Sequence, residues 1–342
     1  MTVPHQDKVE QARQTIDKSQ PAFPILLDFR DELKHIWGKP WGAQSEIGKL
    51  REVMVQKPGP EMAPPERDLK WFGIRNDVDA KKAVEQHQRF VDVLRNENVV
   101  VHYMDAPPEA KGPYGLLQRI WATRDPGFVV NGGAIVNRMS LPWRRGDEYW
   151  WARRVMDIGC PILYTVRGNG TFESGNVVWL DPTHICIGRS MRTNQDGIDQ
   201  VETVLKSVGV EEIKVIPIPG WLRNIEWPAG GFAHLDCVFA YVEAGLAMIY
   251  PPAVPFDFLE YLKQREVNMI EVPSPEGKDY ACNVLALEPG KIVMLDGFDS
   301  SRKMLEREGV DVIPVDMSEF IKSGGGPHCA SAPLIRDPGP KI

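Results

Sequence analysis

A cysteine lies directly after a glycine-rich segment near the C-terminal end of the sequence. Cys329 follows the run GGGPH at residues 324–328. Glycine adopts positive φ angles and lets a ligand come close to the backbone, so a turn of this kind can hold the thiol in a pocket. The thiolate form of cysteine is a strong nucleophile. The alternative is a flexible tail with an incidental thiol, and this segment alone does not decide between the two.

A histidine and a carboxylate occupy alternate positions in a second segment. His234 and Asp236 lie in the run FAHLDC. If this run is a strand, both side chains point to the same face. An imidazole and a carboxylate that face one pocket can bind a metal, act as acid and base, or form a structural pair. A metal site that also includes His184 matches no standard ligand spacing, so the sequence predicts no metal.

Three shorter segments carry further charged side chains. Glu173 lies in the run ESGN, Asp125 in the run RDP and Arg192 in the run GRSMRTN. Each segment can be explained as an ordinary polar turn, and Asp125 can open a turn at the proline that follows it. The order of the segments along the chain therefore carries more information than any one of them.

Strand-like and helix-like segments alternate from about residue 50 onward, and these elements must position the polar segments. Residues 80–96 are predicted as a helix and residues 99–103 as a strand, and similar pairs recur as far as residue 315. Units of roughly 40 to 65 residues that mix strands and a helix predict an α/β architecture. Residues 1–45 are predicted to form an N-terminal helical extension, and residues 46–342 a single domain.

The bulk composition limits the classes of partner and compartment. The chain has 342 residues with 40 basic and 47 acidic side chains, and its net charge of -7 argues against nucleic acid or an anionic membrane as partner. We find no signal peptide, no apolar run of about eighteen residues and no glycine motif for a nucleotide. The five widely spaced cysteines fit no disulfide framework, so we expect free thiols and a cytoplasmic location.

The polar segments resemble, in composition and order, the motifs of the guanidino-group modifying enzymes. Along the chain the runs are RDP, ESGN, GRSMRTN, HLD, CNVLAL and GGGPHC. This set resembles arginine deiminases, dimethylarginine dimethylaminohydrolases, arginine dihydrolases and amidinotransferases from about residue 50 to residue 333. The resemblance implies the pentein fold, a five-bladed α/β propeller of ββαβ modules with pseudo-fivefold symmetry, as the single catalytic domain over residues 46–342.

The resemblance also implies roles for individual residues. It makes Cys329 the nucleophile and His234 the general acid and base, with Glu173 as the third catalytic residue. Carboxylates can hold the planar guanidinium group by paired hydrogen bonds. The substrate-binding residues implied in this way are Asp125, Asp236, Arg192, Arg144, Arg145 and Asn176. Asn176 departs from the aspartate that is usual at its position in the family, and the site has one negative charge fewer as a result.

The activity implied by the resemblance is hydrolysis of a guanidino compound, arginine or a substituted arginine, by a cysteine. A covalent thiouronium intermediate would give a ureido product and ammonia or an amine, with no cofactor. The alternative is an amidinotransferase, which moves the amidino group to an amine acceptor such as glycine. A non-catalytic binder on the same scaffold is a third alternative. The sequence does not fix the oligomeric state, and a homo-oligomer is compatible with it.

Overall fold

Strands and helices alternate along the chain, and the predicted α/β class is confirmed. The computed structural model describes residues 8–63, 69–74, 77–107, 111, 121–220 and 232–341. No helix among these residues is long and apolar enough to cross a bilayer. The predicted helix over residues 80–96 forms with these bounds because apolar side chains recur along its buried face and Asp79 caps its first turn.

The strands of the described residues are short, four to six residues each. They are β1 (Leu50–Val55), β2 (Val100–Tyr103), β3 (Gly127–Val130), β4 (Gly133–Val136), β5 (Ile162–Thr165), β6 (Val177–Asp181), β7 (His184–Arg189), β8 (Glu212–Pro217), β9 (Phe239–Glu243), β10 (Leu246–Ile249), β11 (Asn268–Glu271), β12 (Leu285–Glu288), β13 (Lys291–Leu295), β14 (Asp311–Val315) and β15 (Ala332–Arg336).

The helices are placed mainly between these strands. They are α1 (Lys8–Thr15), α2 (Phe29–Ile36), α3 (Leu69–Phe72), α4 (Ala80–Asn96), α5 (Asp147–Asp157), α6 (Gln195–Ser207), α7 (Phe256–Gln264), α8 (Ser274–Lys278), α9 (Asp299–Arg307) and α10 (Ser318–Lys322).

The described strands form five sheets of three strands, and all five repeat one arrangement. The orders are β15-β1-β2, β3-β4-β5, β6-β7-β8, β9-β10-β11 and β12-β13-β14. In each sheet the central strand pairs antiparallel with the first strand and parallel with the last, as β4 does with β3 and β5. A helix connects the central strand to its parallel neighbour in each sheet, because parallel strands need a long crossover connection.

The C-terminal strand completes the first sheet. β15 pairs antiparallel with β1, and Met54 lies opposite Ala332. Leu334 of β15 is fully buried in an apolar cluster that also contains Val129 of β3 and Trp151 of α5. Pairing between the two ends of the chain therefore fixes the position of the segment that immediately precedes β15.

Neighbouring sheets contact one another through their strands. β15 contacts β3, β1 contacts β12, β13 contacts β9, and β9 contacts β6. The second and third sheets share one apolar cluster, in which Phe128 stacks on Phe172 with ring centroids 5.9 Å apart. Each of the five sheets therefore touches two others.

The segment before β1 is part of the packed interior. Trp41 and Ala43 are buried, although α1 and α2 before them are largely exposed. The Gln44 amide donates to the Pro182 carbonyl oxygen at 3.0 Å and accepts from the Asn131 backbone at 2.7 Å. Gln44 therefore joins the second and third sheets, and Gly42 of the same segment, residues 41–48 (the entry segment), forms a bridge with Ile335 of the first sheet.

Replacement of Leu334 tests the contribution of the closing strand. L334A removes buried apolar contacts and leaves a cavity, so we expect the free energy of unfolding to fall by about 2–5 kcal/mol in chemical denaturation. Leu26→Ala is the matched control because its side chain is 95% exposed, and we expect a change within about 0.5 kcal/mol. Equal effects of the two substitutions would contradict the packing described for β15.

Candidate active site

Four of the polar segments occupy equivalent positions in the repeated fold. Asp125 precedes β3, Glu173 precedes β6, His234 and Asp236 precede β9, and Cys329 precedes β15. Each segment is thus the connection that enters the first strand of a sheet. Because the five sheets repeat one arrangement, motifs that are far apart in the sequence come together in space.

The equivalent position before the remaining sheet holds Asn283, for which the sequence predicts no role of its own. The Asn283 amide donates to Cys329 Sγ at 3.1 Å, and its oxygen accepts from the backbone N–H groups of Gly326 and Cys329 at 2.9 and 3.2 Å. The run CNVLAL was recognised as a motif, but the sequence alone does not show that its asparagine contacts the thiol.

The glycine-rich segment is packed rather than flexible. Gly324 has a φ of 90°, which favours glycine. Gly325 is needed for a different reason, since a Cβ atom there would lie 3.0 Å from Cys329 Sγ and 2.9 Å from the Trp121 ring. The Cys329 side chain is therefore confined by close contacts with its own preceding loop.

Cys329 is buried among groups that oppose its ionisation. Its Sγ lies 3.6 Å from Asp236 Oδ2, and its side chain also forms a hydrogen bond with the Cys237 thiol. The Cys237 hydrogen bond lowers the pKa of Cys329, but burial and the negative charges of Asp236 and Asp125 outweigh it. The pKa of Cys329 is therefore raised above its ordinary value, and a cation bound beside the thiol would favour the thiolate.

His234 lies between two carboxylates. Its Nε2 is 2.9 Å from Glu173 Oε2, and its Nδ1 is 3.7 Å from Asp125 Oδ1. Burial lowers the pKa of His234, but Asp125 and Glu173 outweigh the burial and raise it. Gly175 makes this packing feasible, because a Cβ atom there would come within 2.6 Å of His234 Nδ1.

Glu173 is completely buried and accepts hydrogen bonds on both oxygens. Oε1 accepts from the backbone N–H and the hydroxyl of Ser140 at 2.9 and 2.7 Å, and Oε2 faces His234 and Arg192 Nη1, the latter at 3.5 Å. Burial raises the pKa of Glu173, but the charges of Arg192 and His234 outweigh it and lower that pKa. An ionised carboxylate therefore holds the His234 ring in place.

Arg144 is directed into the protein rather than toward a ligand. Its Nη1 donates to Asp125 Oδ2 and its Nε to Asp147 Oδ2, both at 2.6 Å, and its Nη2 donates to the Ala122 carbonyl oxygen at 3.0 Å. Arg144 thus holds Asp125 in position. Arg145, the next residue, is only partly buried and lies at the end of a short 3-10 helix before α5.

Arg192 lies in the turn just before α6, and its guanidinium contacts Glu173 Oε2. Its backbone N–H donates to Ser190 Oγ at 3.1 Å. The side chain of Asn194 caps α6 by accepting from the Gly197 N–H at 2.9 Å. The run GRSMRTN is therefore a cap that turns the chain from β7 into α6 and directs Arg192 toward the site.

Asn176 connects the segments that flank the histidine. Its oxygen accepts from the Leu235 N–H at 3.0 Å, and its amide donates to Thr193 Oγ1 at 3.0 Å and to the Ala233 carbonyl oxygen at 3.4 Å. Ala233 and Leu235 are the neighbours of His234 in the chain. An aspartate, which the resemblance implies at this position, could not donate these hydrogen bonds, so asparagine has a structural reason here.

Two groups of side chains among the described residues have the spacing of metal ligands. One contains His234, Asp236 and Cys237, and the other Asp125, Glu173 and His234. His184 belongs to neither group, since its Nδ1 pairs with Asp181 Oδ2 at 2.9 Å. The metal site with His184 that was considered from the sequence is therefore not assembled.

Comparison with known proteins identifies the family. The family described as N,N dimethylarginine dimethylhydrolase, eukaryotic, matches residues 61–336, and the chain belongs to this family. It is thereby a member of the guanidino-group modifying enzymes, as the order of its motifs predicted.

Individual relatives differ in what is known of them. An uncharacterized protein of Bacillus subtilis (strain 168), YkgA, is 32% identical over 298 residues, which cover 86% of this chain and 94% of that protein. A 2-nitroimidazole nitrohydrolase of Mycobacterium sp. (strain JS330) is 28% identical over 279 residues, covering 78% and 72%. The crystal structure of a dimethylarginine dimethylaminohydrolase adduct with 4-chloro-2-hydroxymethylpyridine superposes with a TM-score of 0.65 at 25% identity, covering 84% of this chain and 100% of that chain.

Alkylation of the free protein tests the electrostatics around the thiol. Because burial, Asp236 and Asp125 raise the pKa of Cys329, we expect its rate of reaction with iodoacetamide to rise with pH and to reach half its maximum above the ordinary value of about 8.5. Mass spectrometry of the Cys329 peptide follows the reaction, with Cys329→Ser as control. A midpoint below the ordinary value would show that the site stabilises the thiolate without a ligand.

Substitution of Asn176 tests its role beside the histidine. N176D loses two buried donors and brings a carboxylate against the Ala233 carbonyl oxygen, so we expect unfolding free energy to fall by about 1–3 kcal/mol. Asn169→Asp, at an exposed position, is the matched control and should leave stability nearly unchanged. Thermal and chemical denaturation measure both variants, and equal stability of the two would refute the structural role.

Proposed function

We propose that this protein is a cysteine-dependent hydrolase of a guanidino compound, arginine or a substituted arginine or guanidine. The observation that carries the proposal is the convergence of a thiol, an imidazole and three carboxylates in one buried cluster, although four separate segments supply them. Membership of the dimethylarginine dimethylaminohydrolase family supports hydrolysis of a C–N bond in a linear amidine.

The proposed roles follow from the contacts of each side chain. Cys329 is the nucleophile, and His234 is the general acid and base whose ring Glu173 orients through the 2.9 Å hydrogen bond. Asp236, which is 3.6 Å from the thiol, and Asp125 hold the guanidinium. Arg192 and Arg145 are the candidates for binding a substrate carboxylate, since the guanidinium of Arg144 is engaged by Asp125, Asp147 and the Ala122 carbonyl oxygen.

The first half of the proposed reaction forms a covalent intermediate. A bound guanidinium favours the Cys329 thiolate, whose sulfur attacks the guanidinium carbon and forms a C–S bond. The carbon becomes tetrahedral. His234, which its carboxylate neighbours keep protonated, donates its proton to the departing nitrogen as the C–N bond breaks. Ammonia or an amine leaves, and a thiouronium remains on Cys329.

The second half releases the product. His234 is now neutral and accepts a proton from a water molecule, whose oxygen attacks the thiouronium carbon. The C–S bond then breaks as the C=O bond forms, the electron pair returns to the sulfur of Cys329, and the second proton of the water is released to the solvent. The products are a ureido compound and the free thiolate, and no cofactor takes part in either half of this scheme.

Transfer of the amidino group to an amine acceptor such as glycine is the alternative that the shared chemistry leaves open. The first half of the reaction is the same, and an amine replaces water in the second half. Glu173 favours hydrolysis, since amidinotransferases typically carry an aspartate at this position. The family match also favours hydrolysis over transfer.

A second candidate activity is hydrolytic release of nitrite from a 2-nitroimidazole, as the name of the mycobacterial relative describes. Its reacting carbon also lies between two nitrogens, as the guanidinium carbon does, but the compound is not a cation. The carboxylates of the site already have basic partners: Asp125 pairs with Arg144, and Glu173 and Asp236 lie within hydrogen-bonding distance of His234 and His328. A substrate without a positive charge is therefore compatible with the site.

The architecture around the site follows the same proposal. We infer that the five sheets are blades of an α/β propeller with pseudo-fivefold symmetry, supported by the contacts of each sheet with two others. The chain then consists of a helical extension and a single catalytic domain. The burial of Trp41 and Ala43 moves the proposed boundary from residue 45 to about residue 40. Five unpaired cysteines support a cytoplasmic location.

Turnover of a panel of compounds tests the proposal. The purified protein is incubated with arginine, methylated arginines, agmatine, guanidinoacetate and 2-nitroimidazole, each with and without glycine. We expect a ureido product and ammonia or an amine without glycine, and a loss of at least about 10³-fold in Cys329→Ser. Cys160→Ser is the matched control, because Cys160 is a buried cysteine between α5 and β5. Product only with glycine would establish the transferase, nitrite release would establish the second candidate, and no turnover of any compound would contradict the proposal.

A further inference from the structure

A second histidine lies behind the nucleophile and bridges two buried carboxylates. His328 Nδ1 is 2.7 Å from Asp236 Oδ2, and His328 Nε2 is 2.9 Å from Glu46 Oε1. His328, Asp236 and Glu46 are each at most 5% exposed. The same Asp236 oxygen is 3.6 Å from Cys329 Sγ, so a continuous chain of contacts runs from Glu46 to the thiol.

Hydrogen bonding determines the form of His328 that fits this position. A neutral imidazole has one N–H group and can donate to one carboxylate only, whereas an imidazolium donates from both nitrogens. Burial raises the pKa values of Glu46 and Asp236, but hydrogen bonds and charge from His328 outweigh it and lower both. If both carboxylates are ionised and can only accept, both contacts are hydrogen bonds only when each ring nitrogen of His328 carries a proton.

Several other charged or titratable groups lie near His328, Asp236 and Glu46. Arg124 donates from its backbone to the Cys329 carbonyl oxygen and from Nε to the His328 carbonyl oxygen, at 3.2 and 3.3 Å. The titratable or charged groups that face Asp236 are His234, Cys237, Arg124, His328 and Cys329, and those that face Glu46 are His328, Arg124 and Arg336.

We propose that Glu46 and His328 are positioning residues that keep Asp236 ionised and aimed at the reacting guanidinium and the Cys329 thiol. Glu46 fixes the doubly protonated ring, and the ring fixes the Asp236 carboxylate. The proposal rests on the proposed function for the step that Asp236 assists. It also extends the active site beyond the family match, which begins at residue 61, because the entry segment supplies Glu46.

The proposal predicts a pH-dependent defect. In Glu46→Gln the imidazolium loses one of its two carboxylates, and Asp236 loses the cation that keeps it ionised. The carboxyl group of Asp236 then becomes protonated at a higher pH, so the acidic limb of kcat/KM moves upward. We expect a loss of about tenfold on the acidic side for a shift of about one unit, and little loss on the alkaline side.

The chain offers a matched control in another glutamate–histidine pair. Glu52 Oε2 lies 2.8 Å from His102 Nε2 in the first sheet, outside the site, and Glu52→Gln makes the same chemical change. His328→Asn is the second variant, because its amide can replace Nδ1 as a donor but carries no charge. We expect E46Q and H328N to move the acidic limb and E52Q to leave it in place. An equal loss at every pH, or the same profile in E46Q and E52Q, would overturn the proposal.

Nitrogen NMR of labelled histidine rings decides the question without any substrate. At about pH 7 we expect both ring nitrogens of His328 to carry protons in the unmodified protein, and one of them to lose its proton in E46Q. Disappearance of the signal in H328N assigns it. A neutral His328 in the unmodified protein, or no change in E46Q, would overturn the proposal. If the protein turns over no compound, the proposed function fails, but these shifts still test the network.

Discussion

Five carboxylates are buried in the site or against Arg144 and His328 beside it, and each is within hydrogen-bonding distance of an arginine or a histidine. They are Glu46, Asp125, Asp147, Glu173 and Asp236. An unpaired charge in such an interior would cost several kcal/mol. The need for partners explains why the site contains so many basic groups. It also explains why Arg144 and His328 each contact two buried carboxylates. Asp125 and Asp236, which are proposed to hold the guanidinium, are themselves held by Arg144 and His328.

The fold supplies these pairs by repetition. Five of the six polar segments enter the first strand of a sheet, so one local arrangement is used five times and the side chains meet although they are distant in sequence. The closing strand β15 has a further effect, because its pairing with β1 fixes the loop that carries Cys329. Stability of the first sheet and geometry of the nucleophile are therefore linked through one strand pairing.

The sequence predicted the parts of this arrangement that depend on local patterns. The helix over residues 80–96 follows from apolar spacing and a capping aspartate, and the order of short motifs identified the family. Asn283 was missed because its contacts with Cys329 join residues 46 positions apart. Glu46 was missed for the same reason, with 282 positions between it and His328. No local pattern distinguishes Glu46 from an ordinary polar side chain, and the motif CNVLAL does not show that Asn283 reaches the thiol.

The charge of the site also bears on its substrate. Asn176 stands where the resemblance implies an aspartate, and it holds the segment around His234. Asp125, Glu173 and Asp236 are partly neutralised by their own partners. The site is therefore less anionic than a count of its acidic residues implies. This reduced negative charge is why both a guanidinium and an uncharged substrate, each with a carbon between nitrogens, are considered.

Covalent trapping is the most direct test of the central claim that Cys329 attacks such a carbon. The protein is quenched in acid during turnover of the best substrate of the panel, and its intact mass and peptides are measured. The account predicts an added amidino group, or its substituted form, on the peptide that contains Cys329, and no adduct in Cys329→Ser. Turnover by Cys329→Ser, or an adduct on another residue, would contradict it.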